Sequence, residues 1–144
     1  MPQALVDTSV LFAAAYRRDS AHDAARPILG GIDSGELPEA VVLDYVLAET
    51  LNGLNTHAGH DAAVDFLTRL EENVRIHVES LSADAFALAK ARFRRFEGLS
   101  FVDACIVASM QSQGLEYLYA FDDDFDVVDG VRRLDTPTDP HAPD

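Results

Sequence analysis

The chain has 144 residues, enough for one compact domain and too few for two, and 48% of them are hydrophobic, which excludes a largely disordered protein. No apolar run reaches the ~20 residues of a membrane-spanning helix, and a lone cysteine, Cys105, excludes an internal disulfide and any Cys-based metal cage. The charge is lopsided: 25 acidic against 11 basic residues, a net charge of -14, with Lys90 as the only lysine.

Ala4-Leu5-Val6 is a short apolar run ending at Asp7, and it predicts a buried strand. Thr8 and Ser9 supply caps for a short helix from Val10 to Tyr16. A second helix is expected from His22 to a break at Gly30-Gly31, and Gly35 and Pro38 mark a loop. Ala40-Val41-Val42-Leu43 gives the next strand, ending at Asp44. Leu47, Leu51 and Leu54 then recur at helical spacing to about His57. Ala63, Phe66, Leu67 and Leu70 predict a helix from His60 to Asn73. Val74 to Val78 alternates with period two, as a strand does. Helices follow from Ser82 to Phe96 and from Ser100 to Gln113, stopped by Gly98 and Gly114. Leu115 to Phe121 is expected to be a strand, followed by Asp122-Asp123-Asp124 and a short last strand from Val131 to Leu134.

Strands alternating with helices predict an α/β domain over residues 1–135, with three α/β/α layers and a mainly parallel central sheet. Residues 136–144 carry three prolines and are expected to form a flexible C-terminal tail. The first residues, Met1 to Leu5, show neither a basic region nor a long apolar stretch, so the expected location is cytoplasmic, with no membrane.

In open α/β sheets, sites form beyond the carboxyl ends of the strands. Asp7, Asp44 and Asp122 fall there. Asp103 opens a helix in line with Ile106, Val107 and Met110, so its carboxylate points inward, which is costly unless it is paired or ligates a cation. Two carboxylates 4 Å apart repel by about 4 kcal/mol at an effective dielectric near 20. With so few basic residues at hand, a divalent cation is the economical neutraliser, and oxygen ligands select Mg2+ or Mn2+.

Each acid also has a plainer reading. Asp7 suits a helix N-terminus. Asp103 completes a Ser100-x-x-Asp103 capping box. The Asp122–Asp124 run suits a solvated turn. Glu49 stands opposite the Leu47/Leu51/Leu54 stripe and reads as an exposed helix residue. His22, His57, His60 and His77 lack ligand spacing, and Cys105 reads as a small core residue. Arg92, Arg94 and Arg95 cluster near a helix end, where they suit either phosphate groups or the helix dipole. Arg17 and Arg18 are a weaker pair of the same kind.

Read in order, the acids do more than they do singly. Leu5-Val6-Asp7-Thr8-Ser9 resembles the opening motif of PIN domains, in which a hydrophobic strand ends in Asp followed by Thr or Ser. Val46-Leu47-Ala48-Glu49 resembles the second motif, Ser100-Phe101-Val102-Asp103-Ala104 the third, and Ala120-Phe121-Asp122-Asp123-Asp124-Phe125 the fourth. The match spans nearly the whole chain. It departs from the family at Ala120, where Ser or Thr is usual.

The resemblance implies a metal-dependent ribonuclease in which Asp7 and Asp103 bind the principal Mg2+ or Mn2+. Glu49 and Asp122 complete the cluster and Asp124 supports it. Hydrolysis by an activated water would leave 5′-phosphate and 3′-hydroxyl ends. Free-standing PIN domains of this length are most similar to VapC-type toxins of toxin–antitoxin pairs. That implies an RNA substrate, a cognate antitoxin partner and a homodimer. An RNA-processing PIN nuclease and an inert PIN-like scaffold are the alternatives.

Two other folds with acids at strand ends fit less well. A phospho-receiver domain needs a lysine near its last strand, and Lys90 lies mid-helix. A haloacid-dehalogenase phosphatase needs Asp-x-Asp where this chain has Asp7-Thr8-Ser9. The acidic surface counts against RNA binding at low salt. Adaptation to a halophile's salty cytoplasm accounts for it, because at ~1 M salt the screening length falls to about 3 Å.

Overall fold

The computed structural model describes residues 2–142; Met1 of the expected domain and residues 143–144 of the expected tail lie outside the described residues. Gln3–Val6 (β1) is buried from Ala4 onward. Thr8–Ala15 (α1) follows with a single residue between them. Its cap is Asp7, not Thr8 or Ser9, and the helix starts two residues earlier than the apolar pattern implied. Asp7 has extended backbone, and its carboxylate accepts the Ser9 N–H at 3.2 Å.

His22–Ser34 (α2) runs straight through Gly30-Gly31, where a break was expected, and ends at Gly35 in the left-handed region (φ 85°). The reason is packing. A Cβ on Gly31 would lie 2.8 Å from the Leu37 side chain, so glycine there admits a neighbour and does not end the helix. The chain continues through Glu39–Leu43 (β2), Asp44–His57 (α3), His60–Glu72 (α4), Ile76–Glu79 (β3), Ala83–Arg95 (α5) and Phe101–Gln113 (α6). Tyr117–Tyr119 (β4), a 3-10 helix at Asp123–Val127 and Arg132–Leu134 (β5) complete it.

Two strands are shorter than the hydrophobicity implied. β3 starts at Ile76 because Asn73 turns the chain: its side chain accepts the Arg75 N–H and its carbonyl the Ile76 N–H. Arg75 then donates to the carbonyls of Ile32 and Leu37, tying that turn to α2 and the start of β2. Leu115 belongs to the exit of α6, where its N–H reaches the Met110 carbonyl at 2.9 Å.

The described residues form a five-stranded, all-parallel sheet in the order β3-β2-β1-β4-β5. Right-handed crossovers place α1 to α4 over one face and α5 and α6 over the other. Most helix contacts divide the same way, α1 meeting α2 and α3, α3 meeting α4, and α5 meeting α6, with a lesser contact between α3 and α6. The expected three-layer α/β/α architecture is thus borne out. β1 and β2 are almost wholly buried, while the edge strands β3 and β5 carry His77, Glu79, Arg132 and Arg133, which discourage edge-to-edge pairing.

Residues Asp103 to Met110 of α6 are all buried. A helix apolar on every side belongs inside the core, and this one carries a carboxylate in with it. Beyond Leu134 the chain is tied back at two points. The Tyr119 hydroxyl donates to the Thr138 carbonyl at 2.7 Å, and the rings of Tyr117 and His141 meet edge to face at 5.2 Å.

Candidate active site

Strand order reverses between β1 and β4. One crossover leaves β1 toward β2 and the other arrives at β4 from β3, so a crevice opens beyond the carboxyl ends of this pair. Asp7 is the first residue after β1, and its N–H bonds the Tyr119 carbonyl of β4 at 3.0 Å. Asp122 follows β4 by three residues and caps the 3-10 helix, its carboxylate accepting the Asp124 N–H at 2.9 Å. Asp103 enters the same crevice from the first turn of α6. Carboxylate oxygens of Asp103, Asp122 and Asp124 all lie within 4.8 Å of one another, a spacing that a single cation spans.

Asp7 and Asp103 occupy helix N-termini as the plainer readings expected. Asp103 closes a capping box: its carboxylate accepts the Ser100 N–H at 3.3 Å, and the Ser100 hydroxyl accepts the Asp103 N–H at 3.1 Å. The cap orients the carboxylate and does not satisfy its charge. Burial, and next the negative charge of Asp7, push the Asp103 carboxyl up to about 7. Burial likewise raises Asp7, opposed by its hydrogen bonds to Ser9 and assisted by the charge of Asp122. Asp122 also raises Asp124. The four acids therefore feel one another's charge, and among the described residues no Arg, Lys or His forms an ion pair with any of them.

A second contact, invisible in the linear sequence, fixes this geometry. The Ser9 hydroxyl donates to Asp7 at 2.6 Å and accepts the Phe121 N–H at 3.1 Å, so it links the first acid to the segment that delivers Asp122. Ala120 is fully buried where the family usually carries a hydroxyl. In this chain the polar tie between the two strand ends comes from Ser9.

Arg133 fastens the outer side. Its guanidinium grips both oxygens of Asp126 at 2.9 and 3.0 Å and donates to the Ala120 carbonyl at 3.3 Å. The Asp126 carboxyl is lowered by that grip, and the Arg133 guanidinium is raised by it. The sequence reading picked out neither Ser9 as a link nor Arg133 as a clamp. The only signal for Ser9 was its place two residues after a strand-end Asp.

The remaining candidates separate. Glu49 is exposed on α3 and lies outside the group of three acids whose oxygens converge. Asp44, the other strand-end acid, accepts the N–H groups of Tyr45 and Leu81 and so serves the loop between β3 and α5. Arg92 is committed to Gln111 of α6 at 2.9 Å. Arg95 lines a cleft beside Asp124, and Arg94 does not.

The donor set suits a divalent ion. Three carboxylates within reach of one point, without a cationic side chain, form a hard oxygen site of the kind that takes Mg2+ or Mn2+. Asp103 and Asp122 bring their carboxylates to it from helix N-termini, and the charge of Asp7 acts on Asp103.

An acid cluster at the switch point of a parallel three-layer sheet is the arrangement of a divalent-metal hydrolase. The chain belongs to the PIN-domain family: the family's model, described as PIN domain, matches residues 4–131, and the resemblance carried by the four motifs is borne out. It is 36% identical over 123 residues to the 23S rRNA-specific endonuclease VapC20 of Mycobacterium tuberculosis, a match covering 83% of this chain and 89% of that protein.

The crystal structure of Mycobacterium tuberculosis VapC20, a toxin that cleaves the sarcin-ricin loop, is similar with a TM-score of 0.75 and 31% identity, over 85% of this chain and 92% of that one. VapBC2 from Rickettsia felis, bound to a DNA fragment from its promoter, shares the fold with a TM-score of 0.68 at 14% identity, over 92% of this chain and 97% of that one.

Proposed function

We propose that this protein is a divalent-metal-dependent endoribonuclease of the VapC toxin kind, acting on the sarcin-ricin loop of 23S rRNA. One observation carries the reading: the convergence of Asp103, Asp122 and Asp124 within 4.8 Å, beside buried Asp7, at the switch point of the sheet. The likeness to VapC20 supplies the substrate class. In this reading the protein works in the cytoplasm as a homodimer held by a cognate antitoxin. No helix of the described residues is long and apolar enough to cross a membrane.

A divalent ion at this site supplies charge neutralisation for the scissile phosphate and an activated water. The protein's own groups do the rest. Asp103 and Asp122 present oxygens from helix caps whose backbone partners fix their direction. Asp7, whose charge acts on Asp103, adds to the negative potential that draws a cation while it also caps α1. Asp124 adds an exposed oxygen at the mouth. Glu49, exposed on α3, would take part as proton acceptor or complete the cluster through water. Ser9 holds Asp7 and the backbone at Phe121 in one register, so the first and fourth acids keep their separation.

A synthetic RNA hairpin carrying the sarcin-ricin loop, incubated with protein and Mn2+ in high KCl, is expected to be cut at one position. The fragments should bear 5′-phosphate and 3′-hydroxyl ends. Ends carrying 2′,3′-cyclic phosphate would reject the mechanism, because they arise from attack by the ribose hydroxyl without hydrolytic water.

A further inference from the structure

We propose that the cleft between the C-terminal end of α5 and the 3-10 helix is a substrate subsite, holding the nucleotide next to the scissile phosphate with Arg95 on its backbone. The inference rests on the endoribonuclease reading and extends it to where the RNA strand runs. The cleft measures about 460 Å3 and has Arg95, Phe96, Glu97 and Gly98 on one wall and Asp123, Asp124, Asp126 and Val127 on the other. That is within the range of pockets for small organic ligands.

Both walls lead into the acid cluster. The loop at Gly98 continues to Ser100 and Asp103, and the opposite wall is the 3-10 helix that Asp122 caps. Asp124 belongs to cleft and cluster alike. A strand whose phosphate sits on the cluster therefore has this cleft as its adjoining space.

The chemistry of the walls suits a nucleotide. Arg95 is exposed, and among the described residues it forms no ion pair; its guanidinium lies 5.4 Å from the Phe96 ring centroid. A guanidinium beside an aromatic face is a common seat for a phosphate and a stacked base. Val127, 61% exposed, offers apolar surface on the facing wall. Of the four acids that line the cleft, Asp126 is held by Arg133 and Asp124 belongs to the converging carboxylates. On a chain of net charge -14, a free arginine at the mouth of the site counts for more than it would elsewhere.

The competing reading is that Arg95 merely complements the C-terminal dipole of α5. Arg94 is its control: it is exposed, sits in the same last turn and does not line the cleft. Gly98 gives a second, steric probe. Its backbone is outside the left-handed region, and an added Cβ would meet nothing within 4 Å. Gly98→Leu should therefore fold while filling the cleft.

The experiment measures binding of the fluorescent sarcin-ricin hairpin to protein carrying Asp103→Asn, which blocks cutting, across a KCl series. Adding Arg95→Ala should weaken binding about tenfold and reduce the slope of log Kd against log salt by about 0.7, the share of one single-strand phosphate contact. Gly98→Leu should weaken binding without changing that slope, and Arg94→Ala should change neither. If the Asp103→Asn protein binds the hairpin and Arg95→Ala matches it in affinity and slope, the subsite is overturned while the nuclease reading stands. Equal losses from Arg94→Ala and Arg95→Ala would also overturn it, as diffuse charge. If the hairpin is bound at no salt concentration, the substrate reading falls and the subsite with it.

Discussion

Asp7 and Asp103 are 4% and 8% exposed and sit on the ends of regular helices, whereas Asp122 is half-buried and Asp124 fully exposed on a five-residue 3-10 helix. The inner pair is positioned by elements that the core itself requires: β1, α1 and α6, buried from Asp103 to Met110. The outer pair depends on a short segment held by one arginine and one serine. The inner acids are thus rigid but uncompensated, and burial raises both. The outer acids lie nearer solvent and need fastening. The proposed cation site thus joins a buried half set in the core to a solvated half that must be clamped.

The comparison breaks most visibly at the inner pair. Asp7→Asn and Asp103→Asn should each lower hairpin cleavage by about 100-fold or more, and initial rates with Mn2+ check this. A rate within threefold of the unaltered protein for either would remove the inner acids from the chemistry.

Next in size is the clamp. Arg133→Leu should lower the rate and the Mn2+ affinity by about tenfold each, with the melting temperature moving little because the Asp126 carboxylate is about half exposed. Full Mn2+ affinity in this variant, read by titration calorimetry, would mean that the outer acids hold their place unaided. Glu49→Gln should also cost about tenfold in rate while leaving Mn2+ affinity intact, as befits an acid outside the converging three. A loss as deep as that of Asp103→Asn would place Glu49 among the inner acids.

The smallest effect is on stability. The carboxyl of Asp103 lies near 7 in the fold against about 3.9 in an unfolded chain. The metal-free fold binds this proton more tightly than the unfolded chain does. Its stabilising contribution is complete below about pH 4 and is lost as pH rises through 7. Melting of metal-free protein should therefore drop as pH goes from 5 to 8. Asp103→Asn should flatten that slope and raise the pH 8 melting temperature by about 5 °C. A flat profile in the unaltered protein would show Asp103 already ionised and compensated.

The sequence carried the element order and the parallel sheet because apolar runs and helical stripes are local signals. It also carried each strand-end acid, since Asp7, Asp44 and Asp122 all follow strands. Which of these converge is a property of the strand order, and no local pattern separates Asp44, tied to Leu81, from Asp122. Gly31 looked like a stop because glycine is a poor helix former; its partner Leu37 lies beyond the helix end, out of reach of a local pattern. The Ser9 contact with Phe121 joins residues 112 apart, and Arg133 meets Ala120 across 13. Such ties are set by packing, and a single sequence does not display them. For Asp103 the capping box and a place among the converging acids coexist, since the carboxylate that accepts the Ser100 N–H also lies near those of Asp122 and Asp124.

The central claim, that one cation joins the two halves of the cluster for RNA hydrolysis, is tested most directly by cleavage of the sarcin-ricin hairpin with Mn2+, with Mg2+ and with EDTA, each run with the unaltered protein and with Asp103→Asn. A single cut that requires a divalent ion and disappears with Asp103→Asn is the predicted result. Cutting that persists in EDTA, or in Asp103→Asn at the unaltered rate, would contradict it.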